Sequence, residues 1–284
     1  MGQGAVLLCA ILWSTSGLFI KLVDWHPVVL AGSRSFLAVL VLLALKGRRR
    51  DGKRMPGWKT QDRFFIIAGG AAYGATMITF VIANKLTASA NAILLQYSAP
   101  VWAALLGWGI AREKPRWEQW GALVFVSLGL FLFFKDGIAA GSLPGDTLAL
   151  CSGILFGANS VFLRMIRTGD TADAMLLAHV IAALVSLPFF FFYPPNYTPG
   201  TAAAIAFMGI IQMGAASQLF SYGIKRIPAI QAMLTAMVEP ILNPLWVLMA
   251  TGEKPAVPAL IGGSVIVGAV IASSLIGSTW RRRS

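Results

Sequence analysis

Two formal charges fall inside long apolar stretches of this 284-residue sequence, Glu239 and Arg34. A charge at mid-depth in hydrocarbon costs at least about 2.5–3.5 kcal/mol, so each calls for a cavity or a partner. Glu239 does not stand alone. Gln231, Thr235, Glu239 and Asn243 recur every four residues, a spacing that keeps them on one slowly drifting helix face, and Trp246 continues near that face. The stripe reads in two ways: as the lining of a cavity, or as interhelical hydrogen bonding, which small amides and hydroxyls also supply. On the first reading Glu239 is a ligand for a cationic group, a proton-coupling carboxylate, or both.

Proline sharpens this. Pro100 and Pro240 carry no N–H and leave the carbonyls of Gln96 and Ala236 without their helical donors, as Pro244 does for Pro240. Freed carbonyls accept from an ammonium, a cation or water, and the same prolines serve as hinges. Gln96, Tyr97, Trp13, Asn159, Tyr73, Gln218 and Tyr222 are the further cavity candidates, although mid-span aromatics pack more often than they bind. Arg34 sits only about seven residues into its stretch, where a snorkelling head reaches water. It aligns with His179 at an offset of 145, and a gating or structural role is expected for both. With one carboxylate well within the apolar stretches and two histidines in the chain, no acid–base pair or metal set is available, which argues against an enzyme. No GxxxxGK[ST] motif is present, so an ATP-driven pump is excluded for this chain. Cys9 and Cys151 read as small buried apolar residues. No metal or cofactor is expected, apart from a proton as coupling ion.

The elements that must position these residues are helices in a membrane. The chain is 57% hydrophobic and 12% charged, with mean hydropathy +0.73, whereas soluble domains are about one-quarter charged. About 20 apolar residues cross a bilayer as a helix, and ten stretches qualify: roughly 4–22, 28–46, 64–83, 88–110, 117–134, 145–165, 173–193, 201–222, 228–250 and 256–276. Residues 1–22 lack a positive leader and carry Trp13 mid-span, which predicts a retained first helix. The net charge of +12 is unevenly spread: alternate loops hold eighteen and four Lys/Arg. That split places both termini in the cytoplasm and reads as a topology signal, not as a nucleic-acid surface.

The chain also contains itself twice. A shift of 140 residues lays Ala92, Pro100 and Glu113-Lys114-Pro115 on Ala232, Pro240 and Glu253-Lys254-Pro255. Two repeats are predicted, 1–138 and 139–284, within one membrane domain. Five spans per repeat is an odd number, so the repeats enter from opposite sides, as in many transporters with their binding site at the repeat interface. Glu113 and Glu253, just before prolines, are expected to favour the helix starts that follow. Gly70-xxx-Gly74 is expected to pack helices closely, within the fold or across a dimer.

Glu239-Pro240-Ile241-Leu242-Asn243-Pro244, Gly252-Glu253-Lys254-Pro255 and Gly262-Gly263 resemble the second EamA-type domain of the drug/metabolite transporter superfamily. Ser98-Ala99-Pro100-Val101 and Arg112-Glu113-Lys114-Pro115 resemble the first, and Arg34-Ser35-Phe36-Leu37-Ala38 resembles its Arg-containing second span. The resemblance implies ten helices in a five-plus-five inverted arrangement, with a cavity walled mainly by spans 1, 3, 4, 6, 8 and 9. It further implies secondary transport of a small-molecule substrate, usually export of amino acids or related metabolites, across a prokaryotic inner membrane. A monomer or homodimer in the lipid bilayer is expected, and a passive facilitator or channel is the alternative.

Overall fold

A computed structural model of the protein describes residues 1–48, 60–87, 89–134, 142–168, 170–242, 246, 249, 261–262, 264–269 and 271–272. All regular structure among them is helical. Among the described residues six runs are long and apolar enough to cross a membrane: Gly2–Ile20, Pro27–Gly47, Asp62–Leu86, Leu143–Met165, Thr171–Phe192 and Pro199–Ile224. The helices are α1 (Gly2–Trp13), α2 (Ser16–Leu22), α3 (Pro27–Arg48), α4 (Thr60–Leu86), α5 (Ser89–Gln96), α6 (Ala99–Gly109), α7 (Trp117–Phe134), α8 (Leu143–Met165), α9 (Thr171–Phe192), α10 (Pro199–Ala206), α11 (Ala216–Ile224) and α12 (Ala229–Ala236). A π-helical segment, Phe207–Ala215, joins α10 to α11. Asn243, Pro244 and Glu253-Lys254-Pro255 lie outside the described residues.

The exterior is apolar and the interior carries the polar groups. Phe64, Val124, Phe125, Phe131, Leu184 and Phe191 are exposed, while Arg34, Asn159, His179, Gln212 and Ser217 are buried. In water such an exterior would be an apolar patch far beyond the usual size; hydrocarbon is the solvent that suits it.

Among the described residues three of the stretches numbered from the sequence are interrupted, the first, the fourth (89–109) and the ninth (229–242), each for a local reason. In the first, the hydroxyls of Ser14 and Thr15 bond back to the carbonyls of Ile11 (2.6 Å) and Leu12 (2.9 Å), a habit that bends helices. In the fourth, the chain turns at Tyr97-Ser98 just before Pro100, and the Ser98 N–H reaches Leu95 O at 3.2 Å. In the ninth, it turns at Met237-Val238 before Pro240, and the Val238 N–H reaches Thr235 O at 3.4 Å. The last two turns occupy matched positions under the 140-residue shift, because matched prolines remove the same helical donor.

Small residues let helices close around these turns. A methyl added to Gly153 would stand 2.8 Å from Gln96 O, and one added to Gly157 would stand 2.8 Å from Ala99 O. So α8 lies against the broken backbone of the fourth span. Gly70 and Gly74 pack inside the fold, where added methyls would stand 3.0 Å from the carbonyls of Ala174 and Ala178 on α9.

The two ends are stitched differently. At the end rich in Lys and Arg, the Asp62 carboxylate accepts from Arg167 N (2.8 Å), Thr168 N (2.8 Å) and Thr168 Oγ1 (2.5 Å). Arg164 pairs with Glu113 at 2.9 Å and donates to Lys225 O at 2.8 Å. Lys225 donates to Ile166 O, and Lys46 pairs with Asp173. Partial burial pushes the Lys225 ammonium below its ordinary value. Glu113 therefore ties the connection after α6 to α8, and the acid in the first turn of α7 is Glu118. Arg112 takes a left-handed φ of 55°, and the Glu113 N–H turns back to Gly107 O at 3.0 Å, which brings the carboxylate towards Arg164. At the other end, Thr87 Oγ1 donates to Asp146 (2.7 Å) and Trp25 Nε1 donates to Asn196 O (3.0 Å). His26 stacks on Tyr193 with ring centroids 4.0 Å apart.

Candidate functional site

A cavity of about 50 Å³ lies between these helices. Its walls are Trp13 of α1, Ser16 of α2, Arg34 of α3, Tyr73, Thr76, Met77 and Phe80 of α4, Gln96 of α5, Phe156 of α8, Met213 of the π segment and Glu239. Water occupies about 10–15 Å³ by this measure, so this conformation admits a few waters and must widen for anything larger.

An aromatic cluster forms one side. Trp13 packs against Phe220 (ring centroids 5.3 Å), Phe156 (5.7 Å) and Tyr73 (6.2 Å), and Phe156 packs against Phe220 (5.9 Å). Trp13 Nε1 is buried without a partner. The ring faces give an apolar surface, and the indole N–H leaves a donor beside it.

The polar side is built from single groups on different helices. The Tyr97 hydroxyl is hydrogen-bonded to the Glu239 carboxyl, which ties the matched turns of the fourth and ninth spans together at the cavity edge. Arg34 is 3% exposed, and its Nε and Nη1 lack hydrogen-bond partners. This departs from the expected snorkelling. The guanidinium lies within electrostatic reach of Tyr73 and His179, turned inward where α3 meets the π segment. The approach is close because Gly209 has no side chain: a methyl there would stand 2.5 Å from Leu37 Cβ and 3.0 Å from Arg34 O. The second span thus joins the wall, beside those the family resemblance implied. His179 is fully buried, with Nε2 2.9 Å from Ser217 Oγ and its ring 6.1 Å edge-on from Tyr73.

The structure gathers Trp13, Tyr73, Gln96, Arg34 and Glu239 on one cavity and sets other predicted residues elsewhere. Thr235 turns its hydroxyl back to Gln231 O at 2.8 Å, so of the described stripe only Glu239 reaches the cavity wall. Trp246 Nε1 donates to Ser14 Oγ at 2.7 Å and braces the first span against the ninth. Asn159 is buried off the cavity with neither side-chain polar atom partnered. Gln218 and Tyr222 line a separate recess at the basic end, with Asp170, Thr171, Ser221, Lys225 and Arg226. Phe80, Met77 and Met213 were not singled out from sequence. Nothing in their types marks them, since apolar residues line a cavity and fill a core alike.

No group of His, Cys, Asp or Glu able to hold a metal occurs among the described residues. Both cysteines are free: Cys9 is buried and Cys151 half-buried.

The fold and site are those of an integral-membrane helical protein whose charged groups line an internal cavity, the general form of a membrane transporter. The sequence agrees: residues 1–135 and 143–275 match the EamA-like transporter family, and the chain belongs to that family. It is 24% identical to the uncharacterized transporter YwfM of Bacillus subtilis over 87% of this chain and 85% of that one. It is also 24% identical to an uncharacterized transporter of Archaeoglobus fulgidus, over 93% of each. Human solute carrier family 35 member G1 is 29% identical over 62% of this chain and 50% of its own. A solved crystal structure superposes over 97% of both chains with a TM-score of 0.80 at 21% identity, a likeness of fold.

Proposed function

We propose that this chain is a secondary transporter that moves small metabolites, above all amino acids or related compounds in the export direction, by alternating access around the cavity walled by Arg34 and Glu239. The reading includes ten spans in two inverted repeats, 1–138 and 139–284, with both termini in the cytoplasm of a prokaryotic cell. The observation that carries it is the placement of Glu239 on the wall of an internal cavity next to matched helix breaks at Tyr97-Ser98 and Met237-Val238. A carboxylate in an apolar span is retained at a cost of a few kcal/mol, and a functional ligand accounts for it better than packing does. Pro100 and Pro240 act as hinges in this scheme, and Glu239 serves as cargo ligand, proton carrier or both. A closed basic end beside a cavity bounded by aromatic rings suits a state with access from the other side.

The test is uptake of a pooled labelled metabolite panel into proteoliposomes, wild type beside Glu239→Gln, with and without a pH gradient. Wild-type uptake that responds to the gradient and falls at least about tenfold in the variant, a loss of about 1.4 kcal/mol or more, is the expected result. Uptake that ignores both the gradient and the substitution would mark a passive facilitator and remove Glu239 from the mechanism.

A further inference from the structure

Resting on the transporter reading, we propose that Arg34 is the anchor for a carboxylate on the substrate, so that the cavity selects zwitterions by holding the acid at Arg34 and the amine at Glu239. Three observations lead there. First, the guanidinium is a permanent cation that is almost fully buried, lines the cavity, and leaves Nε and Nη1 without partners. An unpaired buried charge is among the most costly features a protein keeps, and each of the two edges by which a guanidinium grips a carboxylate, Nε with Nη2 or Nη1 with Nη2, includes one of these unpartnered donors. Second, the one acidic group on the same wall among the described residues, Glu239, forms no ion pair with Arg34 and is hydrogen-bonded to Tyr97 instead. Opposite charges share the cavity without neutralising each other, an arrangement complementary to a molecule that carries both signs. Third, most of the remaining wall is Trp13, Tyr73, Met77, Phe80, Phe156 and Met213, with Ser16, Thr76 and Gln96 as its other polar groups, which suits an apolar side chain between the charged ends. Gln96 and Trp13 Nε1 are left as secondary donors; neither supplies the charge that a desolvated carboxylate requires.

Proteoliposome uptake in three matched arms tests this: a pool of labelled amino acids, the corresponding amino-acid amides, and the corresponding decarboxylated amines. Each arm is run with wild type, Arg34→Gln and Arg34→Lys. Wild type is expected to take up the amino acids at least tenfold faster than either other arm. Arg34→Gln should abolish that preference. Arg34→Lys, which keeps charge but loses the two-pronged edge, should raise KM with a smaller change in kcat. Uptake of amides or amines at the rate of the acids, unchanged in Arg34→Gln, would overturn the anchor while leaving the transporter reading standing. Failure of all three arms would sink both. Should Arg34→Gln not elute as a monodisperse species in detergent, the wild-type ranking of the arms and the Arg34→Lys kinetics decide alone.

Discussion

The basic end and the opposite end of the molecule close helices together by different physics. At the basic end the ties are carboxylates and cations: Asp62 on two backbone N–H groups and a hydroxyl, Glu113 on Arg164, and Asp173 on Lys46. At the other end they are a hydroxyl on a carboxylate, an indole on a carbonyl, and stacked rings. Charge-assisted bonds are roughly twice as strong as neutral ones and more demanding of geometry, and the basic end has several where the other end has one, Thr87 on Asp146. The basic end therefore resembles a latch with a definite closed position, and the other end a seam that loosens by degrees. For a transporter this predicts unequal gates, one opening by a discrete break and one by gradual separation.

The largest expected break in this contrast is Asp62→Ala. Asp62 is 1% exposed, and its loss strands two backbone donors, so stability should fall by about 2–3 kcal/mol. Melting of the detergent-solubilised protein reads this, and an Asp62→Ala variant that melts with wild type would show that the latch does not hold the closed end. A smaller effect is expected from Thr87→Val at the seam, about 1.5 kcal/mol for the single charge-assisted bond to Asp146. Should Thr87→Val cost more than Asp62→Ala, the two ends have been ranked wrongly.

The smallest effect is on pH. Burial against its aromatic neighbours pushes His26 below its ordinary 6.5, so the folded protein disfavours the imidazolium. Stability from this group is complete above 6.5 and is lost as pH falls from there through the lowered value. The melting temperature of wild type should drop modestly on acidification below 6.5, and His26→Phe should flatten that dependence. An identical slope in both would assign the pH response to other groups.

Much of the architecture was legible from sequence because hydropathy and proline act locally. The interruption of the fourth and ninth spans follows from Pro100 and Pro240, whatever surrounds them. Glu239 was legible as well, since a carboxylate in an apolar run needs an explanation on its own terms. Arg34 was misread in its surroundings, because residue count from a span end measures depth and says nothing of the direction in which the side chain leaves the helix. That direction is set by α3 closing on Gly209, some 175 residues away in sequence, and by a π-helical geometry that no local pattern announces. Thr235 was misread for the opposite reason. Its spacing fits the Glu239 stripe, but a threonine hydroxyl in a helix can satisfy itself on the preceding turn, as it does on Gln231 O.

The bond from Trp246 to Ser14 joins residues 232 positions apart, and this has a consequence for how the protein is made. The first helix packs on α11 and α12, and Trp13 takes its aromatic neighbours from positions 73, 156 and 220. At about 5–20 residues per second, the ribosome reaches Trp246 roughly 10–50 s after it has made Ser14. During that interval this segment sits in the bilayer with its interrupted turn and the Trp13 ring lacking their final partners. A span inserted well before its partners is thus finished only when they follow.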